Sequence, residues 1–205
     1  MQLIGMLDSP YVRRVAISMK LMGLPFEHQS VSVFRHYAQF QKINPMVKAP
    51  TLVCDDGEIL MDSTLIIDYA ESLVAAGNRL MPEGDKSRRN ALKNIGVALV
   101  ACEKTVQRYY ELTLRPADKQ HAPWLARVSE QLLIAFDELE KIIATAQPWL
   151  HGERLLQDDL TIAVAWRFAQ FVMPEAVPAA RYPGLVAFSA RAEALPEFVA
   201  TPLDK

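Results

Sequence analysis

Residues 9–14, with the sequence SPYVRR, decide how the first part of this chain folds. They follow a short apolar segment, residues 3–6, that has the length and composition of a β-strand. Ser9 is a favourable helix N-cap, and Pro10 suits the first position of a helix. Apolar residues then recur at helical spacing up to a stop signal at residues 23–25. The pattern predicts a strand that leads directly into a helix capped by Ser9.

The residues that follow extend this pattern into a small α/β domain. Residues 26–33 alternate loosely, as a second strand does. The sequence Asp-Asp-Gly at residues 55–57 separates two further strand-like runs and is a hairpin signal. Helical spacing that begins at Leu65 ends near Gly77. The order βαβ-ββα predicts an α/β domain over residues 1–77, with one hairpin on an otherwise parallel sheet.

The second part of the chain has a different pattern of secondary-structure signals. Residues 78–85 contain one proline and one glycine and have the composition of a linker. Beyond them we find no strand pattern, and we expect an all-α helical bundle over residues 86–205. Its predicted helices are a long stripe from Leu92 to Tyr109, a second stripe from Leu125 to Ile143, a nearly all-apolar run over 160–173 and a short helix over 182–193.

The composition limits the class of protein. The chain has 205 residues, of which 51% are hydrophobic and 22% charged, and its formal charge is −2. That charge gives no reason to expect nucleic acid as a partner. Cys54 and Cys102 are too few and too far apart for a disulfide framework or a metal knuckle, so we expect a reducing compartment. No apolar stretch approaches the roughly 20 residues of a membrane span, and the first residues lack a basic leader; we therefore expect a cytoplasmic protein without a membrane partner.

Ser9 has two interpretations. The simpler one is that its side chain caps a helix and does nothing else. The functional one is that the helix N-terminus and the hydroxyl together stabilise an anion. A ligand thiol bound at that point would have its pKa lowered, which increases the fraction of nucleophilic thiolate.

Two further pairs of residues also have both a structural and a functional interpretation. If the bond between Ala49 and Pro50 is cis, the backbone of Ala49 can pair with an extended peptide at a sheet edge; the alternative is a trans proline that starts an edge strand. Asp62 and Ser63 precede a helical run, and either can be its cap. Together they also offer an acceptor for an α-amino group and a donor for a carboxylate, which is what an amino acid head requires.

These motifs together resemble the glutathione transferase family from end to end. The matching segments are Ser-Pro-Tyr-Val-Arg-Arg-Val at 9–15, Asn-Pro-x-x-Lys-Ala-Pro-Thr-Leu at 44–52, Asp-Ser at 62–63, Leu-Met-Pro at 80–82 and Trp-Leu-x-Gly at 149–152. The resemblance implies a thioredoxin-like N-terminal domain, an all-helical C-terminal domain, a homodimer, and glutathione as co-substrate.

The resemblance also implies roles for individual residues. Ser9 matches the serine that hydrogen-bonds the glutathione sulfur in the serine-type classes. Ala49 matches the residue that pairs with the cysteinyl moiety, and Pro50 matches the cis-proline after it. Asp62, at a position where the family usually has Glu, and Ser63 match the pair that holds the γ-glutamyl group.

The remaining contacts implied by the family are more variable. Lys48 and Arg35 are candidates for the glycine carboxylate, although Lys48 also fits an ordinary surface charge. The electrophile is expected in a pocket between the domains, with Tyr11, Arg108 and Tyr109 as its candidate contacts. Tyr109 also lies on an apolar helical stripe, where a core position is the simpler interpretation. The four histidines show no metal-ligand spacing, and we expect no metal.

The resulting prediction is a serine-type glutathione transferase that conjugates glutathione to small hydrophobic electrophiles in detoxification, with peroxidase activity as an additional expectation. The alternatives are a non-catalytic regulatory or binding protein of the same fold, and a glutathione-dependent isomerase or dehalogenase. No second serine follows Ser9 closely, which weakens the maleylacetoacetate isomerase alternative. In the helical domain, Asp159 matches a buried capping aspartate of the family, whereas Leu156 stands where Ser or Thr would complete the capping box.

Overall fold

The computed structural model describes residues 1–203, which form two compact units. The first contains Met1–Leu80 together with the C-terminal segment that begins at Ala194, and the second contains Met81–Glu193. The boundary near residue 80 falls inside the predicted linker, whereas the C-terminal segment belongs to the first unit and not to the helical one. Across the described residues, no helix is both long and apolar enough to cross a membrane.

The first unit is a four-stranded sheet with helices. Its strands and main helices are β1 (Gln2–Ile4), α1 (Pro10–Leu21), β2 (Glu27–Gln29), α2 (Tyr37–Ile43), β3 (Thr51–Val53), β4 (Ile59–Met61) and α3 (Ser63–Ser72). The strand order is β2-β1-β3-β4. The predicted hairpin is present as the antiparallel pair of β3 and β4. The prediction of an otherwise parallel sheet was wrong, because β1 pairs parallel with β2 but antiparallel with β3.

The core of this unit lies where α1 and α3 pack on each other and on the sheet. Leu3, Ile4 and Leu52 of the strands are fully buried there. In α1, nine of the ten positions from 10 to 19 are buried, and the exception is Tyr11. Helix α2 occupies a region without clear periodicity in the sequence. It buries a single side chain, Phe40, which packs with Ile4 and other apolar residues. A single buried residue produces no hydrophobic periodicity, and this explains why the sequence did not predict the helix.

The C-terminal segment is attached to the first unit through α1. It contains the short helix α8 (Pro196–Val199). The buried Arg13 donates from Nε to the carbonyl oxygen of Thr201 at 2.9 Å, and its guanidinium lies 5.7 Å from the centre of the Phe198 ring. A guanidinium can satisfy a carbonyl and stack on an aromatic ring at the same time. This contact joins residues 188 positions apart in the chain.

The second unit is all-helical. Its main helices are α4 (Asp85–Thr113), α5 (Ala122–Ile143), α6 (Gln157–Val172) and α7 (Pro183–Glu193). Helix α6 is buried on nearly all sides, as its apolar sequence predicted. The rings of Phe136, Trp166 and Tyr182 meet at its centre with centroid separations of 5.6–6.1 Å.

Helix α4 differs from its prediction. Leu92, which the apolar stripe included, has 53% of its surface exposed. The buried face consists largely of small residues, among them Ala91, Ala98 and Ala101. Ile95 and Cys102 of the predicted stripe are buried, but a hydrophobicity count gives more weight to leucine than to alanine, so it included Leu92 and left out the buried alanines. Arg167 is exposed, although most of its neighbours in α6 are buried.

The start of α6 is held by Asp159. Its Oδ1 accepts a hydrogen bond from the backbone N–H of Leu150 at 2.9 Å, and its Oδ2 accepts one from the N–H of Leu156 at 3.0 Å. Leu156 is the N-cap residue but has no acceptor atom, so only the aspartate half of a capping box is present, as the sequence indicated. Burial raises the pKa of Asp159 to about 6, although its two backbone hydrogen bonds act in the opposite direction.

We predict that Asp159→Ala lowers the free energy of unfolding by about 2–4 kcal/mol, because two backbone N–H groups lose their acceptor. Urea or thermal denaturation measures the change. Asp118→Ala is the matched control, since that carboxylate is largely exposed on the same unit and its loss should change stability by less than about 0.5 kcal/mol.

The pH dependence of the same variant tests the protonation of Asp159. In the folded protein its pKa is about 6, above the ordinary value of 3.8, so the folded state binds a proton more tightly than the unfolded state. The contribution of this carboxyl to stability is therefore greatest below its ordinary pKa and is lost as pH rises through about 6. The stability difference between wild type and Asp159→Ala should grow on acidification through this window. A constant difference would contradict the assignment.

Candidate functional site

The N-terminus of α1 carries Ser9. This residue is the N-cap, as predicted, and its Oγ accepts a hydrogen bond from the N–H of Val12 at 3.4 Å. The bond is long, and it uses the hydroxyl only as an acceptor. The hydroxyl hydrogen therefore remains to be donated to a ligand, next to the positive end of the helix dipole. Pro10 is buried at the first helical position, and Tyr11 after it is half-buried.

Gly5 brings the first turn of α1 close to the loop before β3. Its φ of +136° lies in the region that favours glycine. A Cβ at this position would lie 2.7 Å from Cγ2 of Val12 and 3.1 Å from Cβ of Ala49. The end of β1, the helix turn that Ser9 caps and Ala49 are therefore in direct contact. The sequence analysis did not single out Gly5, although a glycine directly after a strand signals a close approach of backbone.

The loop before β3 is fixed by a buried asparagine. Asn44 donates from Nδ2 to Oγ1 of Thr51 at 2.9 Å, and its Oδ1 accepts from the N–H of Met46 at 3.0 Å. The hydroxyl of Thr51 donates in turn to the carbonyl of Lys48 at 2.6 Å. These bonds connect both ends of the loop, so its shape does not depend on a ligand.

Within this loop the peptide bond between Ala49 and Pro50 is cis. Pro50 is buried and Ala49 is half-buried. In the described part of the chain, the backbone N–H and C=O of Ala49 make no hydrogen bond to another residue. Both groups remain available to an extended peptide that would lie beside β3.

The N-terminus of α3 is the third part of the site. Asp62 is the N-cap with φ 71°, and its Oδ1 accepts from the N–H of Thr64 at 2.8 Å and of Leu65 at 3.4 Å. Both hydrogen bonds use the same oxygen, which leaves Oδ2 for another donor. Ser63 follows as the first residue of the helix and is buried, and its N–H has no partner within the helix.

Arg14 connects the first and third parts of the site. This side chain of α1 is 1% exposed, and its Nη1 donates to Oγ of Ser63 at 3.1 Å and to Oγ1 of Thr64 at 3.2 Å. Because Ser63 accepts from a cation, its own hydroxyl hydrogen is free to point away and donate to a ligand carboxylate. Sequence reasoning missed Arg14, because a pairing across about 50 residues leaves no local signal.

The two candidates for a glycine carboxylate are both exposed. Lys48 lies in the loop before Ala49. Arg35 lies in the turn before α2, and its Nη2 contacts Sδ of Met6 at 3.3 Å. Both are therefore accessible to a ligand on the surface.

The candidates on α4 are in the second unit. Arg108 donates from Nη1 to Oγ of Ser129 at 3.0 Å, which ties α4 to α5. Its Nε is buried and has no hydrogen-bond partner among the described residues. Tyr109 is half-buried and not part of the core, and its ring lies 6.3 Å from that of Tyr110.

The two cysteines lie in different units. Cys102 is buried on α4, and Cys54 is half-buried beyond β3; among the described residues neither forms a disulfide bond. In residues 1–203 no group of three His, Cys, Asp or Glu side chains is arranged to hold a metal ion.

Comparison with known proteins agrees with this architecture. The sequence model of the glutathione S-transferase N-terminal domain matches residues 3–78, and that of the C-terminal domain matches residues 122–191. A probable maleylacetoacetate isomerase of Vibrio cholerae is 27% identical, over 96% of this chain and 92% of its own. The uncharacterised GST-like protein YibF of Escherichia coli is 28% identical over 80% of this chain and 76% of its own.

Two solved structures are similar over the whole chain. A glutathione S-transferase of Methylobacterium radiotolerans, in complex with glutathione sulfonate, has a TM-score of 0.90 and 26% identity, covering 100% of this chain and 95% of its own. A glutathione transferase family member of Pseudomonas fluorescens, with bound S-(propanoic acid)-glutathione, has a TM-score of 0.85 and 25% identity, covering 99% of both chains.

The fold and the matches define an enzyme class with a thioredoxin-like domain and a helical domain, as the sequence predicted. The chain belongs to the glutathione S-transferase family.

We predict that Gly5→Ala lowers the free energy of unfolding by about 2–5 kcal/mol, because the new methyl group meets Val12 and the backbone is strained. Gly57→Ala is the control for strain alone, since φ is +90° there but no atom lies within 4 Å, and we expect a loss of about 1 kcal/mol. Equal effects at both positions, measured by urea denaturation, would show that space beside Gly5 is not limiting.

Proposed function

We propose that this protein is a serine-type glutathione transferase, in which the thiolate of bound glutathione attacks a small hydrophobic electrophile. One observation carries the proposal. Ser9, the unpaired backbone of Ala49 and the polar N-terminus of α3 occur on one unit, joined through the contacts of Gly5 and Arg14. The glutathione derivatives bound to the relatives of Methylobacterium radiotolerans and Pseudomonas fluorescens support the same ligand here.

Ser9 is proposed to stabilise the thiolate. A hydroxyl that donates to sulfur, and the positive N-terminus of α1, both favour the anion over the thiol. The pKa of the bound thiol then falls toward neutral pH, and the thiolate fraction rises. The protein contributes by lowering this pKa and by holding the electrophile near the sulfur.

The peptide part of glutathione is proposed to pair with Ala49. Its N–H and C=O have no partner in the described chain, so the cysteinyl moiety can add beside β3 as a short strand. Because Gly5 holds Ala49 against the first turn of α1, a cysteine paired there has its sulfur near Ser9. Pro50 fixes the end of this segment.

The γ-glutamyl group is proposed to bind at the start of α3. Oδ2 of Asp62 accepts from the α-amino group, while the hydroxyl and N–H of Ser63 donate to the α-carboxylate. Aspartate is shorter than the glutamate usual in the family and also caps the helix, so the amino group must approach the helix more closely. Arg14 supports this arrangement because it donates a hydrogen bond to Oγ of Ser63, which leaves the hydroxyl hydrogen of Ser63 for the ligand.

The remaining contacts complete the proposal. Lys48 or Arg35 binds the glycine carboxylate, and Tyr11, Arg108 and Tyr109 meet the electrophile. We further propose a cytoplasmic homodimer that acts in detoxification, with hydroperoxide reduction as an additional activity. The same thiolate can attack a hydroperoxide oxygen, which breaks the O–O bond and releases an alcohol. A second glutathione then converts the resulting sulfenic acid to glutathione disulfide and water.

A second candidate function is glutathione-dependent isomerisation. The similarity to the probable maleylacetoacetate isomerase of Vibrio cholerae, across nearly the whole chain, favours it. The same thiolate would add reversibly to a conjugated double bond and leave after rotation. The absence of a second serine close to Ser9 argues against it.

Three measurements on the purified protein separate the candidates. Isothermal titration with glutathione tests the non-catalytic alternative, which predicts no binding. Assays with an aryl halide and a hydroperoxide test transfer and peroxide reduction, and an assay with maleylacetoacetate tests isomerisation. Binding without any of these activities would contradict the transferase proposal.

We predict that Ser9→Asp folds normally but fails in catalysis. Aspartate preserves the helix cap, so stability changes little. Its negative charge next to the sulfur should raise the pKa of bound glutathione by about 1–2 units and lower kcat/KM near neutral pH by about 10–100-fold. Ultraviolet absorbance of the thiolate against pH gives the pKa, and steady-state kinetics gives the rate.

Ser9→Thr is the matched variant, because it keeps both the cap and the hydroxyl, and it should retain most of the activity. If Ser9→Asp has the same pH profile as wild type, Ser9 does not interact with the sulfur.

We also predict that Arg14 and Ser63 act together on the γ-glutamyl carboxylate. Ser63→Ala should weaken glutathione binding by about tenfold, since a hydrogen bond to a charged group is lost. Arg14→Lys should weaken it less, and should have little further effect in the Ser63→Ala background. Ser72→Ala, on the same helix but exposed, is the control and should leave the Kd of glutathione unchanged. Additive effects of the two substitutions would contradict the coupling.

A further inference from the structure

The carbonyl group of Gly5 has a side-chain partner that the sequence did not indicate. The parallel pairing of β1 with β2 ends where Ile4 faces Gln29. Gly5 comes next, and its N–H still donates to the carbonyl oxygen of Gln29 at 3.0 Å. No backbone N–H of the described chain donates to the carbonyl oxygen of Gly5, which instead accepts from Nε2 of His28 at 2.8 Å. Both peptide groups of this buried glycine are therefore bound to residues of β2.

The chemistry of this hydrogen bond fixes the state of the imidazole ring. A carbonyl oxygen only accepts, so Nε2 of His28 carries a hydrogen. Protonation of the ring adds a hydrogen at Nδ1 and leaves the one at Nε2 in place. The bond is therefore made by the neutral ring and by the charged ring. Since the side chain of His28 is half-buried, the bond is also partly shielded from competing water.

The bond is important because glycine has unusual freedom at this position. Gly5 has a φ of +136°, and a residue without a Cβ rotates there at little cost. The carbonyl group that His28 holds belongs to the peptide between Gly5 and Met6. From that peptide the chain turns into α1, and the N–H of Ser9 closes the turn by donating to the carbonyl oxygen of Met6 at 3.2 Å. The orientation of this one peptide therefore determines where the turn that carries Ser9 begins.

The other two parts of the candidate site have anchors of their own. Asn44 fixes the loop before β3, and Arg14 holds the start of α3. His28 is the corresponding anchor for the start of α1. Because the three anchors are separate side chains, loss of the His28 bond should displace Ser9 and leave the other two parts in place.

We propose that His28 is a positioning residue of the glutathione site, which acts on the thiolate through Gly5 and Ser9. Its hydrogen bond to Gly5 holds the turn so that the hydroxyl of Ser9 is directed at the sulfur. The inference rests on the proposed function, since it requires glutathione to bind with its sulfur at Ser9. It predicts that loss of this bond impairs ionisation of the thiol and not binding of the peptide.

His28→Phe tests the proposal, because it keeps a planar ring and removes the donor. We expect the pKa of the bound glutathione thiol to rise by about 0.5–1 unit, and kcat/KM with an aryl halide to fall by about three- to tenfold below that pKa. The difference in rate should narrow at higher pH, where the thiol is ionised in both proteins. The Kd of S-methylglutathione, which has no thiol to ionise, should stay unchanged. Ultraviolet absorbance of the thiolate gives the pKa, and isothermal titration gives the Kd.

His28→Gln is the matched variant, because its amide nitrogen donates over a similar reach, and it should have a thiol pKa close to that of wild type. Glu27→Ala removes an exposed neighbour on β2 and should change neither the pKa nor kcat/KM. If His28→Phe does not fold, His28→Asn takes its place in the test, because its amide is too short for the same bond.

The wild-type protein separates the two ways in which the experiment can fail. If wild type does not bind glutathione, or does not lower its thiol pKa, the proposed function is wrong and this inference falls with it. If wild type lowers the thiol pKa and His28→Phe lowers it equally, only the inference is wrong. The inference is also wrong if His28→Gln raises the pKa as far as His28→Phe does. A fall in kcat/KM by the same factor at every pH would contradict it as well, because a general loss of folded protein gives that result.

Discussion

The lack of space beside Gly5 is the constraint on which the site depends. Only a residue without a side chain allows the end of β1, the first turn of α1 and Ala49 to meet. This contact places a helix N-terminus next to an unpaired strip of backbone before β3. Either feature alone is common in proteins. Their juxtaposition places a helix end that favours anions beside a backbone segment that can pair with a peptide.

Buried charged side chains join elements at long range in both units. In the first unit, Arg14 links α1 to the start of α3 and Arg13 links α1 to the C-terminal segment. In the second, Asp159 holds the segment before α6 through two backbone N–H groups, and Asp158 orients two polar side chains. Because each of these charges is costly to bury without partners, the local geometry is strongly determined. The functional groups are therefore arranged before a ligand arrives.

The sequence predicted what is encoded locally. The Ser9 cap and the hairpin at residues 55–57 depend on neighbouring residues, and the structure contains both. Helix α2 was missed because it buries one side chain, and the buried face of α4 was predicted only in part because much of it is built from alanines. The contacts of Arg14 and Gly5 were not predicted, since their partners come from distant segments. The family resemblance identified the candidate ligand residues, but not the buried residues that position them.

The central claim is that glutathione lies along Ala49 with its sulfur at Ser9. A crystal structure of the protein with reduced glutathione is the most direct measurement. It should show the cysteinyl backbone paired with Ala49, the sulfur within hydrogen-bond distance of Oγ of Ser9, and the γ-glutamyl carboxylate at Ser63. Glutathione bound elsewhere, or a sulfur directed away from Ser9, would contradict the claim.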